Sequence, residues 1–408
     1  MKNRRVVITG LGIVSPLGVT KEETMAGFAA GKSAVRKMDG WSEFKGLQCL
    51  IGAPAPITDF SFIPRKMRRS MGRISMLAAK AAEDAAMDAG FDRALCGSGR
   101  VGCVVGSTMG SAEALTNTFE TMLPNKDLSL LSSMSFFQSI SHTAAMNVAQ
   151  YLGINGFVLA TCAACVSATQ AIGTGFDLVR NGRQDIVLCG GAEELHPTAS
   201  ATFDILFATS SHFNDDPTKS PRPFDKDRDG VVCGEGCGIL VLEEYEHAKA
   251  RGAKIYAELV GYESCSSGDH VSQSNHAAMA RCMKNALDEA GLLPSQVDYV
   301  NAHATATTHG DPEEAAAIKE VFGSDVPVSS LKGYIGHTMG ASGSIELAAS
   351  LLMMQSGVIV PTRNLDEVAA DCAGLLHVTK PLAKKINVIV KNSFAFGGIS
   401  ATLVCKKI

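Results

Sequence analysis

The sequence predicts an α/β fold with buried sheets, and three observations carry that prediction. Short apolar runs rich in valine and isoleucine recur along the chain: VVITGLGIV (6–14), VGCVVGS (101–107), GFVLATC (156–162), DIVLCGGAE (185–193) and CGILVLEE (237–244). Runs of that length and composition suit strands covered on both faces. Helical stretches such as ISMLAAKAAEDAAMDA (74–89) lie between them, which is the rhythm of βαβ units. No Pro-, Ser- or Gly-rich linker and no low-complexity segment divides the chain.

A weaker pattern hints at two similar halves. Segments 156–173 and 326–350 each read strand, small-residue turn, helix, with Cys165 at the first turn and His337 at the second. RVVITGLG would open one half and IYAELVGYE (255–263) the other. Two stacked halves would bring the turns together. The Ala/Gly/Ser-rich helical segments 168–180 and 341–354 suit close packing in a crowded centre. Any α/β chain repeats strand–turn–helix, so the pattern leaves duplication open.

The bulk numbers narrow the class. At 408 residues the chain is long enough for one large domain or two similar halves with a substantial core. It is 46% apolar and 19% charged, a globular composition. A net charge of −4 argues against general binding to nucleic acid or anionic lipid. No apolar stretch is long enough to span a bilayer, so no membrane insertion is expected. The charged start followed by VVITGLGIVSPLG reads as a buried first strand and turn rather than a signal peptide. Twelve cysteines scattered from Cys49 to Cys405 do not form a dense disulfide scaffold. A reducing cytoplasm is the expected compartment.

Three loops can carry chemistry. In ATCAACVSATQAIG (160–173), Cys165 stands between a strand-like run and a helix. The positive end of a helix and its free N–H groups stabilise a thiolate, and the same groups can hold an oxyanion. Taken singly, a cysteine is more often a buried structural residue. Cys162 and Cys165 also form a C-x-x-C, but Ala-Ala between them gives no support for a redox motif. A zinc site needs a second ligand pair at suitable spacing; Cys233 and Cys237 lie within an apolar strand pattern, so no metal is expected. YVNAHATATTHGD (299–311) places His303 at a strand end, followed by Thr305 and Thr307 among alanines that leave room for a ligand. SSLKGYIGHTMGASGS (329–344) holds Lys332 and His337 in a glycine-rich turn. Strand ends are where α/β folds place their sites. NSFAFGGIS (392–400) is the third loop: Gly397 and Gly398 permit unusual backbone, and Phe394 and Phe396 can close over an acyl chain or simply pack beside a turn.

Together these residues resemble the elongating β-ketoacyl-acyl-carrier-protein synthases, types I and II, of the thiolase-like superfamily. The resemblance runs over essentially the whole chain. It includes VVITGLGIVSPLG, GGAEE (190–194), PRPFDKDRDGVVCGEG (221–236), LVLEEYEHAKARGAKIYAELVGY (240–262), both histidine loops and NSFAFGG. It implies a five-layered αβαβα fold of two duplicated halves, 1–250 with the nucleophile and 251–408 with the histidines and gating loop. It also implies a dimer and a ping-pong Claisen condensation. Counting back from Ala-Ile-Gly (171–173) places the nucleophile on Cys165 and not Cys162. By the same resemblance His303 and His337 orient malonyl thioester and assist decarboxylation, with Lys332 and Glu346 as their supporting charged pair. The N–H groups of Cys165 and Phe396 would form the oxyanion hole. Thr305 and Thr307 would hold the phosphopantetheine arm, which arrives on the acyl carrier protein, so no resident cofactor is implied. The basic run Arg65, Lys66, Arg68, Arg69 would dock that acidic carrier, although such a cluster is more often a solvated helix start.

Departures from the family pattern bear on substrate. His303-Ala304-Thr305 stands where His-Gly-Thr is usual, and Ala395 and Ile399-Ser400 intrude in a loop that usually reads Gly-Phe-Gly-Gly-Thr-Asn. The loop 264–276 is a few residues short. The condensation chemistry is expected to survive, while ordinary fatty-acid substrates compete with a specialised polyketide or aryl-polyene role. The chain would then form a homodimer, or a heterodimer with a cysteine-less chain-length factor. A thiolase would need a second catalytic cysteine near the C-terminus, and Cys405 lies outside the glycine loop. A non-catalytic chain-length partner would lack the nucleophile that this chain retains.

Overall fold

Glycines and alanines set how closely the first layers approach. In strand Val6–Val14, a β-carbon on Gly10 or Gly12 would fall 2.2 Å from the Ala85 carbonyl oxygen or 1.9 Å from that of Ala81. The helix Arg73–Ala89 therefore lies directly on the strand, and its alanines at 78, 79, 81, 82, 85 and 86 are the face it buries. This computed structural model describes residues 4–271 and 273–408. The N-terminal residues 1–3 and position 272, part of the 264–276 loop, lie outside the described residues.

The described residues contain one eleven-stranded sheet, and a five-strand plan occurs in it twice. In the first half the strands in chain order are Val6–Val14, Val101–Gly106, Val158–Leu159, Ile186–Glu193 and Gly236–Glu244. Their spatial order is first, fifth, fourth, second, third. In the second half the strands Ala257–Ser266, Tyr299–Asn301, Pro327–Ser329, Val388–Phe394 and Ile399–Lys406 take the same order, with Leu376–His377 added at the far edge. The pairing senses match as well. First with fifth and fifth with fourth are antiparallel; fourth with second and second with third are parallel. The halves join where Val6–Ile8 pairs antiparallel with Ala257–Leu259. The duplication that pattern alone left open is therefore present in the topology.

Five layers result. Helices Arg73–Ala89 and Thr143–Leu152 cover the strands of the first half, and helices His276–Ala290 and Gly310–Phe322 lie outside those of the second half. Helices Ser167–Arg180 and Ser342–Ser356 lie between, packing on strands of both halves. Burial follows these layers, with one apolar cluster around the central helices and one on each outer side. The central layer is also tied by polar contacts, such as Thr169 Oγ1 to Ser393 Oγ at 2.7 Å. One expected strand is much reduced. GFVLATC forms a strand only at Val158–Leu159, and both residues are exposed because the strand has a partner on one side only.

Candidate functional site

The turn before each central helix carries one of the side chains singled out from the sequence. Cys165 lies two residues ahead of Ser167–Arg180, and His337 lies five residues ahead of Ser342–Ser356. The Cys165 Sγ and His337 Nε2 are 2.9 Å apart. The His303 ring stands edge-on to His337 with centroids 5.2 Å apart, and Phe394 is edge-on to His303 at 6.2 Å. Donor atoms of Cys165, His303 and His337 all fall within 4.8 Å of one another. All three residues are buried. Cys162 is exposed, its thiol near the Thr108 carbonyl, and all twelve cysteines are free, so the C-x-x-C is not a disulfide.

Backbone contacts hold these side chains. The His337 N–H donates to the Val232 carbonyl at 2.7 Å, and Gly234 N–H donates to the His337 carbonyl at 2.9 Å. The Met339 N–H donates to His337 Nδ1 at 3.3 Å. Nδ1 is thereby an acceptor, which puts the ring proton on Nε2, facing the cysteine sulfur. The His303 and Ala304 N–H groups donate to the two oxygens of Glu314 at 2.8 and 2.6 Å. Arg228 donates to the carbonyls of Thr307 and Thr308, both at 3.2 Å. Strain gathers in the same loops. Ala164, Ala306 and Met339 adopt left-handed φ of 48°, 68° and 44°, a conformation that costs a non-glycine residue energy and clusters at functional sites.

Burial dominates the electrostatics. It pushes the Cys165 thiol up to about 12, against a downward pull from Lys332. Burial thus opposes the stabilisation of thiolate that the helix start offers. Burial and the charges of Lys332 and Lys391 hold both histidines well below the usual imidazole range, so both rings are neutral. Beneath them Lys332 Nζ is 2.7 Å from Glu346 Oε1, and Lys391 Nζ is 2.8 Å from Glu346 Oε2.

Most sequence-derived candidates meet in one cavity. Cys165, His303, His337, Thr305 and Thr307 line it, and Phe394, Phe396 and Gly398 close one side. Lys332 and Glu346 do not line the cavity and are fully enclosed. Gly397 and Gly398 have φ of 90° and 75°, so the glycines are required there. Ala304 and Ala395, which replace family glycines, keep negative φ and introduce no strain. Arg65, Lys66 and Arg69 are exposed, Arg68 is half-buried, and none lines the cavity. Arg73 turns inward to Glu235, with Nε 3.0 Å from Oε2. Sequence reasoning missed Glu314, Arg228 and Lys391. The one trace in the sequence was a lysine within the apolar run VIVKNSF, whose enclosure shows only in the fold.

Comparison with known proteins matches this geometry to one family. Residues 3–248 match the beta-ketoacyl synthase N-terminal domain, and residues 256–366 match its C-terminal domain. The chain belongs to the β-ketoacyl synthase family. It is 36% identical over 409 residues to 3-oxoacyl-[acyl-carrier-protein] synthase 1 of Haemophilus influenzae, covering 99% of both chains. A crystal structure of a beta-ketoacyl synthase from Burkholderia phymatum superposes with a TM-score of 0.96 at 44% identity, covering 99% of this chain and 100% of that one. The ishigamide ketosynthase/chain length factor superposes at 0.92 with 32% identity and full coverage of both chains. The fold is thus the thiolase-like fold of the ketosynthases, and the chain is a condensing acyltransferase.

Proposed function

We propose that this protein is a β-ketoacyl-acyl-carrier-protein synthase that extends an acyl chain by two carbons, with Cys165 as nucleophile. The observation that carries the reading is the 2.9 Å contact between Cys165 and a neutral His337, with His303 beside it in one buried cavity. In the first half-reaction Cys165 Sγ attacks the thioester carbonyl of an acyl-carrier. The acyl–Sγ bond forms, the bond to the carrier's pantetheine sulfur breaks, and the thiol proton of Cys165 leaves with that sulfur. Backbone N–H groups of Cys165 and Phe396 serve the tetrahedral oxyanion.

In the second half-reaction a malonyl thioester takes the vacated place, its arm held by Thr305 and Thr307. Its carboxylate leaves as CO₂, and the electron pair moves into a thioester enolate. The N–H groups of His303 and His337 donate to the enolate oxygen. Being neutral, they do so without first losing or gaining a proton. The enolate carbon attacks the acyl carbonyl; the new C–C bond forms, the C–Sγ bond breaks, and the leaving Cys165 thiolate takes up a proton from solvent. Lys332 and Glu346 support the histidines from below.

The finer substrate reading is a polyketide or aryl-polyene chain. Ile399 and Ala395 support it, because they depart from the family's usual loop and line the cavity that holds Cys165, packed against the cluster of Ala163 and Val166. The likeness to the ishigamide ketosynthase/chain length factor supports it too. Primary fatty-acid synthesis is the competing pathway. The partners are an acyl carrier protein and either a second copy of the chain or a chain-length factor, and the compartment is the cytoplasm. No described helix is long and apolar enough to cross a membrane. We place the boundary between the halves at 250/251.

The test is stepwise mass spectrometry. Incubation with acyl-carrier should add the acyl mass to the peptide containing Cys165, and malonyl-carrier should then discharge it as a 3-oxoacyl product. An acyl adduct on Cys162, or no discharge, would contradict the reading. Comparing saturated and polyene acyl-carriers, with and without a chain-length factor, separates the two pathways.

A further inference from the structure

Two cysteines outside the cavity face each other across a strand and a helix. Cys265 lies near the end of strand Ala257–Ser266, and Cys282 lies in the middle of helix His276–Ala290. Each thiol reaches the backbone beside the other. Cys265 Sγ is 3.7 Å from the carbonyl oxygen of Ala278, about one helical turn before Cys282. Cys282 Sγ is 3.6 Å from the carbonyl oxygen of Glu263, which shares a strand face with Cys265. The two thiols also hydrogen-bond to each other. Both are free, and neither lines the cavity that holds Cys165.

Their surroundings are unequal. Cys265 is half-buried, within reach of a small solute, and Cys282 is fully enclosed. Arg281 sends its guanidinium over the strand end, where Nη2 donates to the Ser266 carbonyl at 3.0 Å. The hydrogen bond from Cys282 and the Arg281 charge hold the Cys265 thiol below the usual cysteine range, against burial and Glu263. The hydrogen bond to Cys265 and burial keep the proton on Cys282.

We propose that Cys265 and Cys282 are a peroxide-reactive thiol pair, in which Cys265 is oxidised and Cys282 resolves it to a disulfide within the chain. The oxidant is a hydroperoxide. In the first step Cys265 thiolate attacks a peroxide oxygen: the S–O bond forms, the O–O bond breaks, and with hydrogen peroxide the leaving hydroxide takes up a proton as water. The sulfur becomes a sulfenic acid and the peroxide is reduced. In the second step the Cys282 sulfur attacks that of Cys265. The S–S bond forms, the S–O bond breaks, and the Cys282 proton leaves with the hydroxide as a second water. The bridge would close the segment that gives Ser267, Ser274 and Asn275 to the cavity wall. Cys165, enclosed and with its thiol pushed up to about 12, should be oxidised more slowly.

The experiment is a peroxide titration of the full chain with its thiols mapped by mass spectrometry. Reduced protein near pH 7 is exposed to hydrogen peroxide, blocked with N-ethylmaleimide in denaturant and digested without reductant. The peptides carrying Cys265 and Cys282 should appear linked, lighter by two hydrogen atoms, and dithiothreitol should separate them. The link should form at least about tenfold faster than any oxidation of Cys165. Cys282→Ser should stop at the sulfenic acid, which dimedone traps on Cys265, and Cys265→Ser should give no dimedone adduct on Cys282. No linked peptide, a link between two chains, or oxidation of Cys165 ahead of the pair would overturn the proposal. A dimedone adduct on Cys282 in Cys265→Ser would overturn the assignment of roles. Should Cys282→Ser not fold, capture of Cys265 by dimedone before the link appears in the wild type reads the same order of steps. None of these readouts depends on condensation.

Discussion

The two halves share a strand order and differ in what their equivalent positions carry. The turn after the third strand holds Cys165 in the first half and His337 in the second, and the stacked central helices bring those turns to 2.9 Å. The fourth strands diverge. Ile186–Glu193 is apolar until it ends on Glu193, whose carboxylate accepts from Thr108 and Gly340 N–H at 2.8 and 3.0 Å. Val388–Phe394 instead carries Lys391 in its middle. The first half thus offers a buried cysteine thiol, and the second offers a compensated charge cluster. Duplication places the turns opposite one another, and divergence of single side chains supplies the chemistry.

If the halves divide the labour in this way, the largest effect belongs to the one nucleophile. Cys165→Ala should lower condensation by at least about 10³-fold. Cys162→Ala, three residues away and exposed, should leave it nearly unchanged. Acylation of the two variants by acyl-carrier, read by mass, checks the contrast.

The histidines should separate the half-reactions. His303→Ala and His337→Ala should each still accept an acyl group but decarboxylate malonyl-carrier about 10²- to 10³-fold more slowly, the usual cost of losing a donor to a developing oxyanion. If both variants lost acylation and kept full decarboxylation, the assignment of steps to the two halves would be reversed.

The charge cluster gives a stability effect with no counterpart in the first half. Glu346→Ala strands two enclosed lysines and should cost about 3–5 kcal/mol of unfolding free energy. It should appear as a lower denaturant midpoint with an unchanged slope. A midpoint close to the wild type would mean that the lysines find other partners.

The apolar surroundings of Cys165 give a pH signature. Burial raises its thiol to about 12, so the thiolate fraction keeps growing as pH rises. Alkylation of Cys165 by iodoacetamide should therefore climb about tenfold per unit through pH 9 without levelling. A plateau near neutrality would show that the helix start and the His337 N–H outweigh burial.

The α/β class, the two turns and eight of the cavity residues were legible in the sequence because each rests on local chemistry. Valine-rich runs make strands, small residues make turns, and Cys165, His303 and His337 sit in such turns. The supporting residues were not legible, because their role depends on contacts remote in sequence. Glu314 acts by reaching back eleven residues to the His303 N–H, and Arg228 holds carbonyls 79 and 80 residues away. Lys391 on its own reads as an outward polar position on an alternating strand. Only the helices packed on both faces of its strand show that it is enclosed. The burial around Cys165 was not legible either. A helix start seen in sequence carries its dipole but not the burial around it.

The smallest effect concerns the surface rather than the interior. Arg65, Lys66 and Arg69 project from the short helical segment Arg65–Arg68 and the residue after it, in a chain of net charge −4. Arg73, later in the same basic run, is committed to Glu235 and is not available to a partner. An acidic carrier would meet the three exposed cations at its rim, where complementary charge mainly raises the association rate. Reversing Lys66 and Arg69 to glutamate should therefore raise the KM for malonyl-carrier by about three- to tenfold and leave kcat nearly unchanged. A free pantetheine thioester reaches Cys165 without docking, and its KM should not move. Because exposed charges are screened within about 8–10 Å at moderate salt, raising the ionic strength should bring the wild type towards the variant. Equal losses with both substrates would indicate damaged folding. No loss with the carrier would place the docking face elsewhere on the surface.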